Sequence, residues 1–226
     1  GFKNINIDLI FGLPGQTIAD WKETVDSVAG LNPEHVSCYS LKIEEDTPFG
    51  EMLETDKISQ AEDEVDREMY YYAKEKFTIK GMKHYEISNF AYPGFECEHN
   101  LIYWKAEEYI GAGAGSHSYF NGERYNNVYD ISSYIKAVTN GIIPLENIEK
   151  IDYQDRLSEF IILGLRLIEG ISTVEFKEKF GCDITDIYGR QLMNLTERGL
   201  IQHNGSNIML TGKGLDLANR VFMEFV

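Results

Sequence analysis

The chain has 226 residues, 43% of them hydrophobic, and a formal net charge of −16 at pH 7. Such a length and composition describe a globular protein of one large or two small domains. The acidic balance argues against nucleic acid as a partner, because non-specific affinity comes from Lys and Arg neutralising phosphates, and no apolar run approaches the roughly 20 residues that a membrane helix needs.

The first residues, Gly1-Phe2-Lys3-Asn4, carry no signal-peptide pattern and no initiating Met. They open at the edge of a strand, as the middle of a longer polypeptide would. Cys38, Cys97 and Cys182 are odd in number and far apart, which suggests reduced thiols in a cytoplasmic protein and not a disulfide framework. No Cys-x-x-x-Cys-x-x-Cys pattern is present.

Residues 4–11 alternate, with Ile5, Ile7, Leu9 and Phe11 on one face and Asn4, Asn6 and Asp8 on the other, so a strand is predicted. Gly12-Leu13-Pro14-Gly15 breaks it. Thr17 caps a helix to about Gly30, with Asp20 closing an imperfect capping box, and Asn32-Pro33 stops it. A strand at about 35–43 completes a right-handed parallel crossover. The polar face of the first strand predicts a barrel with a polar lumen, since the strands of a flat two-sided sheet are apolar on both faces. Residues 44–68 hold eleven carboxylates and read as a solvated loop and helix surface. Helical spacing predicts an amphipathic helix over 60–80, ended at Gly81. One strand at 82–90 and a loop at 91–98 follow. Asn121-Gly122 marks a hairpin between 116–120 and 123–126. Helices are predicted at 130–139 and 155–169, with a polar connection and domain boundary at 144–152, giving domains of 1–150 and 151–226. The last segment reads helix (172–179), helix (183–198), a hairpin turning at Asn204-Gly205, and a helix over 212–225. This order resembles a winged helix. Its second helix carries only Arg190 and Arg198 as basic residues, which argues against DNA binding.

The densest chemistry lies in His99-Asn100-Leu101-Ile102-Tyr103-Trp104 and in the glycine run from Gly111 to Gly115, which His117 follows. An imidazole can ligate iron, and flat rings can line a planar ligand. On a helical turn, His99 and Tyr103 share a face. An aromatic core cluster with a hydrogen-bonded His satisfies the same residues. The glycine run matches neither dinucleotide nor Walker spacing, and its physical use is close backbone approach to a strand or a ligand. His117 alone reads as a satisfied histidine. Asp8 sits near the C-terminal end of its strand, where barrels carry their sites, and it needs a partner if buried. His35, His84 and His203 read as structural or surface residues. Cys97 with His99 makes a poor zinc site without a second pair.

Five elements, 4–17, Tyr85–Ala91, His99–Trp104, Gly111–Tyr119 and Leu163-Gly164-Leu165-Arg166, together resemble the oxygen-independent coproporphyrinogen III dehydrogenase-like radical SAM family. The His-Asn-x-x-Tyr-Trp element is similar to that of its HemW branch, the heme chaperones. The resemblance implies the last two β/α units of a partial (β/α)6 barrel, followed by a mixed α+β, winged-helix-like domain. It implies a [4Fe-4S] cluster and S-adenosylmethionine (SAM) in the full-length protein, with no cluster ligands in this chain, which alone is expected to be inactive. Asp8 matches the family's SAM contact, and His117 falls where the family closes that pocket. His99, Tyr103 and Trp104 match the heme motif, with His99 as candidate iron ligand. Heme and heme-acceptor proteins are the implied partners, and radical decarboxylation of coproporphyrinogen III is the competing activity. Loss of preceding barrel strands would open an edge of strand 4–11, so a homodimer or local rearrangement is expected.

Overall fold

A computed structural model describes all 226 residues. The fold is α/β, and the chain divides into two compact units, Gly1–Glu96 and Cys97–Val226.

The first unit runs β1 (Asn6–Phe11), α1 (Ile18–Leu31), β2 (His35–Ser40), α2 (Pro48–Glu54), α3 (Asp63–Ile79), β3 (Lys83–Glu86) and β4 (Asn89–Ala91). Its sheet has the order β1-β2-β4-β3 and is not closed into a barrel. β1 and β2 are parallel, pairing Ile7 with Val36 and Leu9 with Cys38, and the other pairs are antiparallel. The period-two pattern of β1 decides which face is covered: Leu9 and Phe11 are buried with Trp21 and Val25 of α1 and with Met69 and Phe77 of α3. Asn6, Asp8 and Ile10 point the other way and are exposed. α1 starts as predicted. Thr17 accepts from the Asp20 amide at 3.2 Å while the Asp20 carboxylate accepts from the Thr17 amide at 2.9 Å. Burial of Trp21 is compensated at its one polar atom, the indole N–H donating to the Met69 carbonyl at 2.7 Å.

Two local expectations change in this unit. Residues 82–90 do not form one strand. The Glu86 carboxylate accepts from the Ser88 amide at 3.0 Å and from the Asn89 side chain, so the chain reverses there into the β3–β4 hairpin. The acidic stretch after β2 contains α2, whose Thr47 cap and N-terminal Pro48 are ordinary helix-start signals.

The second unit contains α4 (Glu98–Trp104), β5 (His117–Phe120), β6 (Glu123–Asn127), α5 (Ile131–Thr139), β7 (Leu145–Lys150), α6 (Tyr153–Gly164), β8 (Ile171–Ser172), α7 (Thr173–Phe180), α8 (Ile184–Glu197), β9 (Ile201–Asn204), β10 (Asn207–Leu210), α9 (Gly212–Asp216) and α10 (Ala218–Phe222). Two three-stranded sheets form, β5-β6-β7 and β8-β10-β9. Asn121 and Gly122 turn the first hairpin with φ of 52° and 74°, the signs that a two-residue type I′ loop requires.

The connection expected at 144–152 is instead strand β7, polar because it is an exposed edge. α6 ends at Gly164, short of the predicted 169. The last hairpin turns at Gly205-Ser206, since Asn204 pairs with Asn207. The final helix is broken at Leu217 (φ −119°, ψ 26°). Residues 97–150 pack with the segment after them: α4 lies against α6, and Arg124 of β6 makes two bonds to Glu159 of α6 at 2.9 and 3.0 Å.

Candidate functional site

α4 is a seven-residue helix, and its length decides the geometry of the His99–Trp104 motif. The spacing of four residues puts His99 and Tyr103 on one face. Their rings meet edge-on with centroids 4.9 Å apart, and the Tyr103 hydroxyl lies 3.1 Å from His99 Nε2. His99 is exposed, so the imidazole is accessible. Tyr103 continues into Tyr109, with ring centroids 4.6 Å apart. Trp104 leaves the helix on another side, where the Arg166 guanidinium sits 4.2 Å from its ring centroid, a cation–π contact. The Trp104 indole N–H is buried with no hydrogen-bond partner.

Tyr103 and Trp104 line one wall of a cavity of about 300 Å³, completed by Ala106, Glu107, Tyr109, Tyr119, Arg124, Glu159 and Leu163. Three tyrosines, an indole and a leucine make it largely aromatic and apolar, and the Arg124–Glu159 pair and Glu107 are its charged groups. Burial pushes the Tyr109 hydroxyl up, against the pull of Arg124. His99 does not line this cavity. The sequence motif therefore splits into an exposed imidazole–phenol pair and a ring-lined pocket that share Tyr103.

The glycine run returns close backbone approach, as its composition predicts. A Cβ on Gly111 would fall on the His117 carbonyl, and one on Gly115 would lie 2.9 Å from the Tyr129 ring. His117 is exposed, with Nε2 3.1 Å from the Tyr129 hydroxyl. Asn127, which no motif singles out, holds the run in place. Its amide nitrogen donates to the Gly113 carbonyl and the Ser116 hydroxyl, both at 2.9 Å.

Asp8 lies in the first unit, on the polar face of its sheet. Asn6 donates to Asp8 Oδ1 at 2.7 Å. The Asn6 carbonyl is 2.7 Å from His35 Nδ1 and accepts from Ser37 at 3.3 Å, and His35 Nε2 is 2.8 Å from the Tyr85 hydroxyl. Its sequence context marks His35 only as a structural or surface residue. It is 5% exposed and connects three strands. Burial lowers its pKa against opposing pulls from Asp8 and Glu96.

No group of three or more His, Cys, Asp or Glu is placed to hold a metal ion. None of the three cysteines is in a disulfide, and burial pushes the Cys38 thiol up to about 12. No helix is long and apolar enough to cross a membrane.

An α/β first unit followed by a helix-rich second unit is the class of fold seen in coproporphyrinogen III oxidase (HemN) of Escherichia coli, described as a radical SAM enzyme. The two align with a TM-score of 0.75 at 20% identity, over 100% of this chain and 55% of that one. Residues 151–217 match the HemN C-terminal domain model. The "Heme chaperone HemW" of Bacillus subtilis is 37% identical over 226 residues, 100% of this chain and 60% of that protein. That of Lactococcus lactis is 37% identical over 229 residues, 100% of this chain and 59% of that protein. A zebrafish protein, "Radical S-adenosyl methionine domain-containing protein 1, mitochondrial", is 28% identical over 87% of this chain and 48% of its own length. The chain is thus similar over its whole length to part of the HemW proteins, and its residues 151–217 match the HemN C-terminal domain. It spans about 60% of the length of the HemW relatives it matches.

Proposed function

We propose that this chain is the heme-holding part of a HemW-like heme chaperone. The observation that carries the reading is the exposed His99 paired with Tyr103, which itself lines an aromatic cavity. The residues fit the group. A heme requires an axial ligand and flat apolar walls. His99 Nε2, once released by the Tyr103 hydroxyl, is that ligand. Tyr103, Tyr109 and Tyr119 supply ring faces. Arg124 and the unpartnered N–H of Trp104 supply donors for carboxylates at the tetrapyrrole edge. A heme held through one exposed side chain would be open to ligand exchange, which suits its transfer to an acceptor protein.

Asp8 and His117 are the residues of this chain assigned to SAM, which with a [4Fe-4S] cluster would belong to the whole protein. SAM bound to such a cluster is a source of radicals. The side chains here do not fit the cluster, because no three metal-ligating groups converge, so no step is derived through it. The parallel β1–α1–β2 crossover supports a place at the end of a (β/α)6 barrel. The order α7, α8 and hairpin β9–β10 supports a winged-helix-like end. A division at 150/151 is supported by the family model, which begins at residue 151. The E. coli oxidase shares the fold at an identity too low to carry its chemistry, so the chaperone reading is preferred.

Heme titration of the chain tests the proposal. His99→Ala is expected to shift the Soret band and weaken binding at least about tenfold, the order of one lost ligand bond. An unchanged band and affinity would remove His99 as ligand.

A further inference from the structure

The polar face of the first unit's sheet carries a hydrogen-bonded chain whose direction is fixed by chemistry. Asp8 is exposed, and its carboxylate only accepts. The Asn6 atom 2.7 Å from Asp8 Oδ1 is therefore its NH2 group, and the Asn6 carbonyl faces the other way. That carbonyl accepts from the Ser37 hydroxyl at 3.3 Å and from His35 Nδ1 at 2.7 Å. The proton of His35 is thus on Nδ1. In a neutral ring Nε2 then accepts from the Tyr85 hydroxyl at 2.8 Å, whereas an imidazolium would donate to it. No amide flip or alternative tautomer satisfies all four contacts. The chain runs from a tyrosine 3% exposed, through an imidazole 5% exposed, to a carboxylate at the surface.

The strand register explains the assembly. Asn6 lies opposite His35 and Asp8 opposite Ser37 in the parallel β1–β2 ladder, so all four side chains fall on one face. Tyr85 comes from β3, and its ring meets His35 edge-on at 5.7 Å. Buried polar side chains of this kind are stable only when every member is satisfied.

We propose that His35 is a positioning residue for ligand binding at Asp8. Through Asn6 it commits Asp8 Oδ1 to the protein and leaves Oδ2 for a ligand donor. The ligand class is one with hydroxyl or ammonium donors. The inference rests on the reading of Asp8 as a SAM contact and extends it to His35, Asn6 and Tyr85. Burial holds the imidazole below its usual range, consistent with a neutral ring having one donor and one acceptor nitrogen. The charged groups that bear on it are Asp8 on β1 and Glu96 after β4.

The test uses the 226-residue chain with 15N-labelled histidine. Long-range proton–nitrogen spectra at pH 7 are expected to show His35 neutral and protonated on Nδ1. A proton on Nε2, or an imidazolium, overturns the proposal. The Asn6 side-chain amide protons are the second readout. They should be shifted and protected in the wild type, collapse toward free-amide behaviour in His35→Leu, and persist in His35→Asn, whose amide can donate in place of Nδ1. Unchanged Asn6 signals in His35→Leu also overturn it. If His35→Leu fails to fold, Tyr85→Phe is read instead: loss of the donor to Nε2 should weaken the Nδ1–H tautomer and shift the Asn6 amide signals, and unchanged His35 and Asn6 signals overturn the proposal. S-adenosylhomocysteine is the ligand probe. Its affinity should fall about tenfold in His35→Leu and recover to within about threefold in His35→Asn, as for one mispositioned hydrogen bond. A wild type that gives both spectral signatures but takes no S-adenosylhomocysteine upholds the positioning chain and overturns the SAM assignment of Asp8.

Discussion

Asn127 shows how one side chain can fix a loop made mostly of glycine and alanine. Its amide nitrogen bonds the Gly113 carbonyl and the Ser116 hydroxyl, and reaches the Gly111 carbonyl at 3.3 Å. Asn127 is 7% exposed, so water cannot replace those bonds. Asn127→Ala should cost about 1–3 kcal/mol, the penalty of leaving buried acceptors unpaired. Asn127→Asp should cost more, because a carboxylate cannot donate to any of the three. Urea unfolding checks the order, and faster amide exchange at Gly115, whose N–H donates to the Val128 carbonyl at 3.0 Å, checks the location. Equal stability of wild type and Asn127→Asp would refute the role. The glycine run was visible in the sequence, while the residue that holds it was not. Nothing local distinguishes Asn127 from its neighbour Asn126, and only its pairing with Leu145 of β7 and its N–H bond to the Ser116 carbonyl place it against the run. His35 is hidden for the same reason, because its partners are 29 and 50 residues away.

Two helical glycines separate propensity from packing. Gly164 ends α6, where a Cβ would fall on the side chain of Ile171 in β8. Gly189 lies inside α8, next to the non-helical Tyr188 (φ −116°), with open space where a Cβ would go. Replacing Gly by Ala in a helix interior ordinarily gains about 1 kcal/mol. Gly189→Ala should gain up to that amount, whereas Gly164→Ala should lose about 1–3 kcal/mol through overpacking. Denaturant midpoints measured on both variants decide the matter, and a stabilised Gly164→Ala would mean that Ile171 moves freely. The elements legible in the sequence are those with strong periodicity or explicit turn chemistry: β1, α1, α3, the Asn121-Gly122 hairpin and α8. Those missed have weak local signals. β7 is a polar edge, β8 has two residues, and the β3–β4 reversal depends on the Glu86 side chain and not on Gly or Pro. The candidate heme motif was readable as a helix face. Its division into an accessible pair and a separate cavity depends on β5, β6 and α6, which no local pattern brings together.

At the scale of the whole molecule, acid should act first on the unit that buries its histidines. His35 and His84 both lie in residues 1–96. Burial pushes His84 down to about 4, with its ring stacked on Phe90 at a centroid distance of 4.6 Å. Burial also lowers His35. For a histidine whose folded pKa lies below its unfolded value, the unfolded chain binds more protons between the two. Stability is therefore full above about pH 6.5 and falls as pH drops toward 4, by about 3 kcal/mol from His84 alone. The ion-paired and capping carboxylates Asp20, Asp26 and Asp130 have lowered pKa values, so their contribution is present above the usual carboxylate range and is lost only at more acid pH. Two tryptophans report separately: Trp21 is fully buried in the first unit, and Trp104 lies in the second. In chains keeping only Trp21 or only Trp104, urea unfolding at pH 7.5 and pH 5 should show the loss in the Trp21 transition. His84→Phe, which keeps a flat ring against Phe90, should flatten that pH dependence. A loss of equal size in His84→Phe would move the cause of acid sensitivity away from the buried imidazole.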